Sequence, residues 1–377
     1  MKERNYAQMK LVCSKSNLLN GVQIVAKAVP NKTTMSILEC ILIDATGRDI
    51  KLIANDMELG IETIIEGDIV EKGQIALDAK ILLDIVRKLP DNEVKIETDK
   101  SFRTNITCEK EKFTIIGKSG EDFSYLPSIE KIDSIVVSQF TLKEVVRQTI
   151  FSIADNDNNK MMSGELFDIN GDTLKVVSLD GHRISIRKII LKDSYPARKV
   201  IVPGKTLSEV SKILSGDTDK DVSIFFTGKH IVFDFDNTTV VSRLIEGEYF
   251  KIDQMLSSDY ETKVTINKKE LLECIDRATL LVKEGDKKPI IINITDEAME
   301  LKINSTVGSM NEEIDIAKQG KDLMIGFNPK FMIDALRVID DEQVDIYLVN
   351  PKAPCFIRDT AENYIYLILP VNFTTVN

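Results

Sequence analysis

A chain of 377 residues, 43% hydrophobic and 29% charged, has room for two or three domains that each bury a core. It has no apolar run near the length of a membrane-spanning helix, and its start, MKERNYAQMKLVCSKS, is charged and polar, so no signal peptide and a cytoplasmic protein are expected. A net charge of −11 excludes a surface that holds nucleic acid on every side, while leaving room for a basic patch in an acidic body.

The first element along the chain is an amphipathic helix, KSNLLNGVQIVAKAV. Its residues Leu18, Leu19, Val22, Val25, Ala26 and Val29 form one stripe at the helical period. Strands follow in ILECILIDATGRDIKLIANDMELGIETIIEG, with DATGRD as a turn. A second helix, AKILLDIVRKLP, leads into the strand NEVKIE. The third, FTLKEVVRQTIFSIA, precedes MSGELFDINGDTLKVVSLDGHRISIRKIIL, in which Asn170–Gly171 signals a turn between two short strands. The fourth, GKTLSEVSKILS, precedes VSIFF and a turn at Thr227–Gly228. The fifth, NKKELLECIDRATLLV, repeats the stripe with Leu271, Leu272, Ile275, Ala278, Thr279 and Val282, and the sixth lies in NPKFMIDALRVIDDEQVDIYLV. The five cysteines are odd in number, far apart and set among apolar neighbours, so they read as core residues rather than a disulfide or metal framework.

These elements repeat. Leu18, Val145 and Leu271 are equivalent and lie 127 and 126 residues apart, and Val94, Val222 and Val344 head equivalent strands 128 and 122 residues apart. The chain therefore reads as three tandem domains, 9–130, 134–258 and 262–377, each containing a helix-plus-strands unit twice. Helices on one face of antiparallel sheets, an α+β class, suit this order. Every helix carries at least two cations, among them Lys27, Arg87, Arg147, Lys212, Arg277 and Arg337, mixed with acids such as Asp84, Glu144 and Asp334. Taken singly, they describe solvated helix faces.

SLDGHRISI holds one of two histidines between Asp180 and Arg183. Repeat alignment places Asp56 of LIANDMELGIE opposite Asp180, which makes the acid a turn former with Gly181 supplying positive φ. A metal-independent hydrolase using Asp180, His182 and Arg183 is the competing reading. It lacks any HExxH, GxSxG, GxGxxG or GxxxxGK[ST] pattern to complete a site.

The stretches LLNGVQIVAKAVPNKTTMSIL, LIANDMELGIE, DGHRIS, LIEGEYFKIDQML, IDRATLL and YIYLILPV together resemble the bacterial DNA polymerase III beta subunit, the replicative sliding clamp family, from Met9 to about Val371. The resemblance implies a DNA clamp fold in which two chains close head to tail into a ring, with helices lining a central hole and sheets outside. Such a ring encircles double-stranded DNA without reading its sequence. It needs no cofactor or metal, catalyses nothing, and tethers the polymerase III alpha subunit, the clamp loader and other proteins that carry clamp-binding motifs.

Carried onto this sequence, the resemblance assigns DNA contact to Lys32, Arg147, Arg87, Arg277 and Arg337. It assigns a partner-peptide pocket to Met162, Leu179, Gly181, His182, Arg183 and Ile184, to Ser257 and Thr262, and to Leu367, Leu369, Pro370 and Val371. Arg183 would orient the bound peptide. Ser257 stands where the family often has proline, Asn372 stands where a basic residue is common, and NFTTVN continues past the usual end, so the end of the groove is expected to be partly occupied or altered in polarity. The eight residues before Met9 are expected to be disordered. A monomeric peptide-binding module would keep the pocket without the ring.

Overall fold

The computed structural model describes residues 8–373 apart from 125–126, 128, 133, 155–158, 257–258, 283–287, 360 and 362. Among the described residues, six α-helices form where the sequence predicts them: α1 Lys15–Val25, α2 Ala79–Lys88, α3 Gln139–Thr149, α4 Gly204–Ile213, α5 Lys268–Thr279 and α6 Pro329–Val338. Their starts are chemically marked. Ser14, Asp78, Asn267 and Asn328 each accept a backbone N–H in the first turn, from Asn17, Ile81, Glu270 and Lys330, and Pro329 occupies the first turn of α6, where its missing N–H costs nothing.

Helix α1 buries Leu18, Gly21, Val22 and Val25. A Cβ on Gly21 would come within 2.5 Å of Ile65 and 2.8 Å of Leu52, so the glycine lets the helix lie directly on the sheet. Helix α5 buries Leu271, Cys274, Ile275 and Ala278, a stripe that includes Cys274 and leaves Leu272 at its edge. The predicted Val282 lies beyond the helix end, in the turn that follows. All five cysteines are buried and free, as their apolar settings predicted. Burial pushes the thiols of Cys13 and Cys274 up to about 12, so they stay protonated and packed.

Contacts divide the chain into two compact units, Met1–Leu142 with Ser208–Leu244, and Lys143–Leu207 with Ile245–Asn377. In the first, a nine-stranded antiparallel sheet includes Cys40–Asp44, Ile50–Asn55, Leu59–Ile65, Thr238–Arg243, His230–Phe235 and Asp221–Phe226 in that order, and a five-stranded sheet is centred on Glu93–Thr98. In the second, a seven-stranded sheet runs Gly164–Leu179, Arg183–Pro203, Tyr364–Ile368, Cys355–Arg358, Gln343–Leu348, Thr262–Asn267 and Ala317–Gly320, and a four-stranded sheet holds Ser309–Asp315 to Leu323–Phe327. Each long sheet therefore has a seam where strands from adjacent thirds of the chain pair. In the first unit Leu59–Ile65 meets Thr238–Arg243, and in the second Arg183–Pro203 meets Tyr364–Ile368.

One turn prediction fails. Asn170–Gly171 closes no hairpin; Gly171, at φ 62°, sits in an irregular stretch of a ladder whose strands run 16 and 21 residues, Gly164–Leu179 and Arg183–Pro203. The ladder resumes on both sides because the second strand has extra residues there to absorb the offset, pairing Ile169 with Arg198 and Thr173 with Ile190. The hairpin turns at Asp180–His182 instead, while the predicted turns at 44–49 and at Thr227–Gly228 are present.

Candidate functional site

The Asp180 turn is built from its own side chain. Asp180 Oδ1 accepts the N–H groups of His182 and Arg183 at 3.0 and 3.1 Å, and Gly181 takes φ 88°. The first third repeats the device: Asp56 Oδ1 accepts the N–H groups of Glu58 and Leu59 at 3.0 and 2.7 Å, with Met57 at φ 78°. The shared acid is thus a turn former in both copies, as the repeat alignment implied.

Arg183 is only 7% exposed, and all three of its side-chain nitrogens have acceptors. Nε donates to Asp180 Oδ2 at 2.8 Å, Nη1 to Asp334 Oδ2 at 2.7 Å, and Nη2 to the Phe151 carbonyl. Its guanidinium carbon also lies 4.3 Å from the centre of the Phe331 ring. These bonds fix the orientation of the guanidinium, which presents an edge to the cavity wall. His182, exposed, stacks beside Phe331 with ring centres 6.3 Å apart. Ser178 and Ser185 are buried opposite each other and donate to the carbonyls of Thr149 and Gln148 at 2.6 and 2.7 Å. The two serines nearest the Asp180 turn are therefore buried and hydrogen-bonded inward, and Asp180 and Arg183 pair with each other.

Beside the turn lies a cavity of about 620 Å³. Eight of the predicted residues line it: Met162, Leu179, Gly181, His182, Arg183, Ile184, Leu367 and Leu369. The final strand brings them together. It pairs Leu367 with Ile184, and past its end the Leu369 N–H donates to the His182 carbonyl at 2.9 Å. The floor is a buried cluster that includes Val177, Ile186, Ile252 and Phe356, so the cavity is an open edge of a core rather than a polar cleft.

Of the remaining predicted members, Thr262, Pro370 and Val371 do not line it. Thr262 is 2% exposed, sits in strand Thr262–Asn267 opposite Leu348 and donates to the Lys321 carbonyl at 2.8 Å. After Leu369 the chain turns away: the Val371 N–H donates to the Gly326 carbonyl at 2.8 Å, and Phe373 lies against Gly326. Pro370, which has no N–H to continue the ladder, sits at this departure. Asn372 and Phe373 do not line the cavity, and residues 374–377, like Ser257, lie outside the described residues. Phe250, Gln254, Met255 and Pro354 line the cavity without having been predicted. Phe250, Gln254 and Met255 belong to LIEGEYFKIDQML, where the short helical turn Ile252–Met255 buries Ile252 and exposes Met255. An apolar pair with one member exposed was the available signal; Pro354 had none.

The predicted DNA contacts divide by electrostatic setting. Lys32 and Arg87 are exposed and have no ion pair among the described residues. Arg87 shares a cleft of about 820 Å³ with Asn20 and Gln23 of α1, Lys27 in the turn Ala26–Ala28 that follows it, Lys212 of α4, and Lys220. Arg147 is tied to Glu144 and, at 2.9 Å, to Asp340. Arg277 pairs with Glu312, and Arg337 with Asp276 at 3.4 Å. The Arg337 pair is exposed, of a kind that contributes about 0–1 kcal/mol, whereas Arg147 and Glu144 are half-buried and joined through two nitrogens.

Three family models match consecutive stretches of the chain: the N-terminal domain of the DNA polymerase III beta subunit over residues 9–127, its central domain over 136–251 and its C-terminal domain over 253–372. The beta sliding clamp of Staphylococcus epidermidis is 33% identical over 374 residues, covering 96% of this chain and 99% of the relative, and that of Staphylococcus aureus is 32% identical over the same shares. Among solved structures, a putative DNA polymerase III beta subunit from Eubacterium rectale has a TM-score of 0.94 at 73% identity, covering 97% of this chain and 100% of the other. The sliding clamp of Bacillus subtilis has a TM-score of 0.93 at 32% identity over the same shares.

Proposed function

Because the chain belongs to the bacterial DNA polymerase III beta subunit family, the beta sliding clamps, we infer that it works by encircling duplex DNA rather than by catalysing a reaction. The observation that carries this reading is the full-length correspondence: three family domains in succession, on a chain whose six helices recur at matching intervals. The protein is a DNA sliding clamp and processivity factor. Two copies join head to tail, the arrangement by which a heterologous contact closes a ring, with repeats 9–130, 134–258 and 262–377 serving as its domains.

The helices face the duplex. Lys32 and Arg87 meet phosphates directly, and Arg147, Arg277 and Arg337 exchange a carboxylate for phosphate as the DNA passes, giving weak contacts blind to sequence. The acidic remainder keeps DNA off the outside. The apolar cavity at the Asp180 turn takes short extended segments of the polymerase III alpha subunit, the clamp loader and other motif-bearing partners, holding each at high effective concentration near the primer end. A cytoplasmic location goes with this role, and no helix among the described residues is long and apolar enough to cross a membrane.

The test is the solution mass by light scattering, followed by retention on nicked circular and linear DNA after loading. A mass of two chains with retention on circles alone is expected. A single-chain mass with retention on neither form would overturn the ring and leave a monomeric peptide-binding module. A companion experiment separates the cations. Charge reversal of Lys32 and Arg87 together should weaken equilibrium binding to short duplex DNA and lower the slope of log affinity against log salt by about two units. An unchanged slope would remove both residues from the DNA-facing surface.

A further inference from the structure

The geometry points to a second docking pocket, on the sheet seam of the other unit, that takes an extended peptide bearing an aliphatic side chain next to a carboxylate. The inference rests on reading the Asp180 cavity as a peptide site, because the second pocket is built on the same backbone frame.

At the first seam Ile184 pairs with Leu367, and Leu369 N–H donates to the His182 carbonyl at 2.9 Å. At the second Gly60 pairs with Val241, and Arg243 N–H donates to the Glu58 carbonyl, again at 2.9 Å. Asp56 closes its turn as Asp180 does. A peptide backbone that lies along one frame therefore finds equivalent surroundings along the other.

The cavity is smaller, about 110 Å³, with Leu59 and Val241 in its lining and room for one aliphatic side chain. Its chemistry is changed at equivalent places. Arg243 stands where Leu369 stands, and Glu58 stands where His182 stands, with His230 also in the wall. Arg243 and Glu58 approach to 3.5 Å and are both more than half exposed. So open a pair is weak, and a ligand carboxylate can take the place of Glu58 on the guanidinium in a bidentate contact. Met57 at the rim holds φ 78° where the first turn uses glycine, and it is 56% exposed. Its adaptable thioether over an apolar hole suits a side chain arriving from solvent.

Calorimetric titration of the full chain with an octapeptide of alternating leucine and aspartate tests this, with a leucine and asparagine octapeptide as control. Two acidic peptides per chain are expected on the unaltered protein, and one on Arg243→Glu and on Leu369→Asp. On Leu369→Asp, the asparagine peptide should bind the remaining site at least about tenfold more weakly, as loss of a charge-assisted contact requires. A stoichiometry of one that Leu369→Asp abolishes would overturn the second pocket and leave the first standing. Equal binding of both peptides to Leu369→Asp would overturn the carboxylate preference. No binding to the unaltered protein would bring down both pockets.

Discussion

Replacing Arg183 with alanine is expected to destabilise the protein by about 3–5 kcal/mol, the range for breaking a buried ion pair from one side. Arg183 ties the Asp180 turn to Asp334 of α6 and to the Phe151 carbonyl at the end of the segment that follows α3. Without it, two carboxylates with side chains only 14% and 20% exposed lose their cation, and Phe331 loses the guanidinium over its ring. His182→Ala, one position earlier, removes an exposed ring and should stay within about 1 kcal/mol. Urea titration of both variants reads the difference. Asp334→Asn and the double variant Arg183→Met/Asp334→Leu provide a second reading, in which removing one partner should cost more than replacing both with apolar side chains. A double variant that loses more stability than Asp334→Asn would show that Arg183 and Asp334 do not act as a pair.

A second large effect is expected from Glu165, which is fully buried. Thr149 Oγ1 lies 2.7 Å from the Val145 carbonyl and 3.1 Å from Glu165 Oε2, and one hydroxyl proton cannot serve both acceptors. A neutral Glu165 resolves this by giving its own proton to Thr149, which then donates to Val145. Burial accordingly pushes the carboxyl up to about 8. The sign follows from proton counts. Between the unfolded value near 4.5 and the folded value near 8, the folded chain holds a proton that the unfolded chain has released. Stability is therefore greatest below this window and falls as pH rises through it, by about 1.4 kcal/mol per pH unit and up to about 5 kcal/mol in all. Glu165→Gln keeps a donor toward Thr149 and removes the titration. The difference between its stability and that of the unaltered protein should grow from pH 5 to pH 8 in favour of the variant. A flat difference across that range would place an ionised Glu165 in the folded protein.

Such a buried acid was not legible in MSGELFDIN, where Glu165 reads as an ordinary polar residue before a strand. The hydroxyl that faces it comes from 16 positions earlier, at the end of α3, and only the packing of that helix on the hairpin removes water from both. Local signals succeeded where the physics is local. Ser14, Asp78, Asn267 and Asn328 cap helices because a short side chain reaches an N–H two or three residues on, and Asp56 and Asp180 close turns by the same reach. The bend at Gly171 was misread because an Asn-Gly pair favours a positive φ whether the chain reverses there or bulges, and the choice depends on the opposite strand.

Periodicity, apolar setting and self-similarity by themselves indicated the six helices, the buried cysteines, the threefold repeat and the turn that carries His182. All of these depend on contacts a few residues apart or on a pattern copied along the chain. The tertiary structure alone decided the two seams, in which strands of different thirds share one sheet, and therefore which side chains surround each cavity. It placed Met255 and Pro354 at the first pocket, withdrew Thr262 and Val371 from it, and engaged Arg183 with an aspartate 151 residues away. Backbone ladders pair any two strands of suitable length, so the partner is selected by burial of whole faces at once, a quantity that no local stretch of sequence contains.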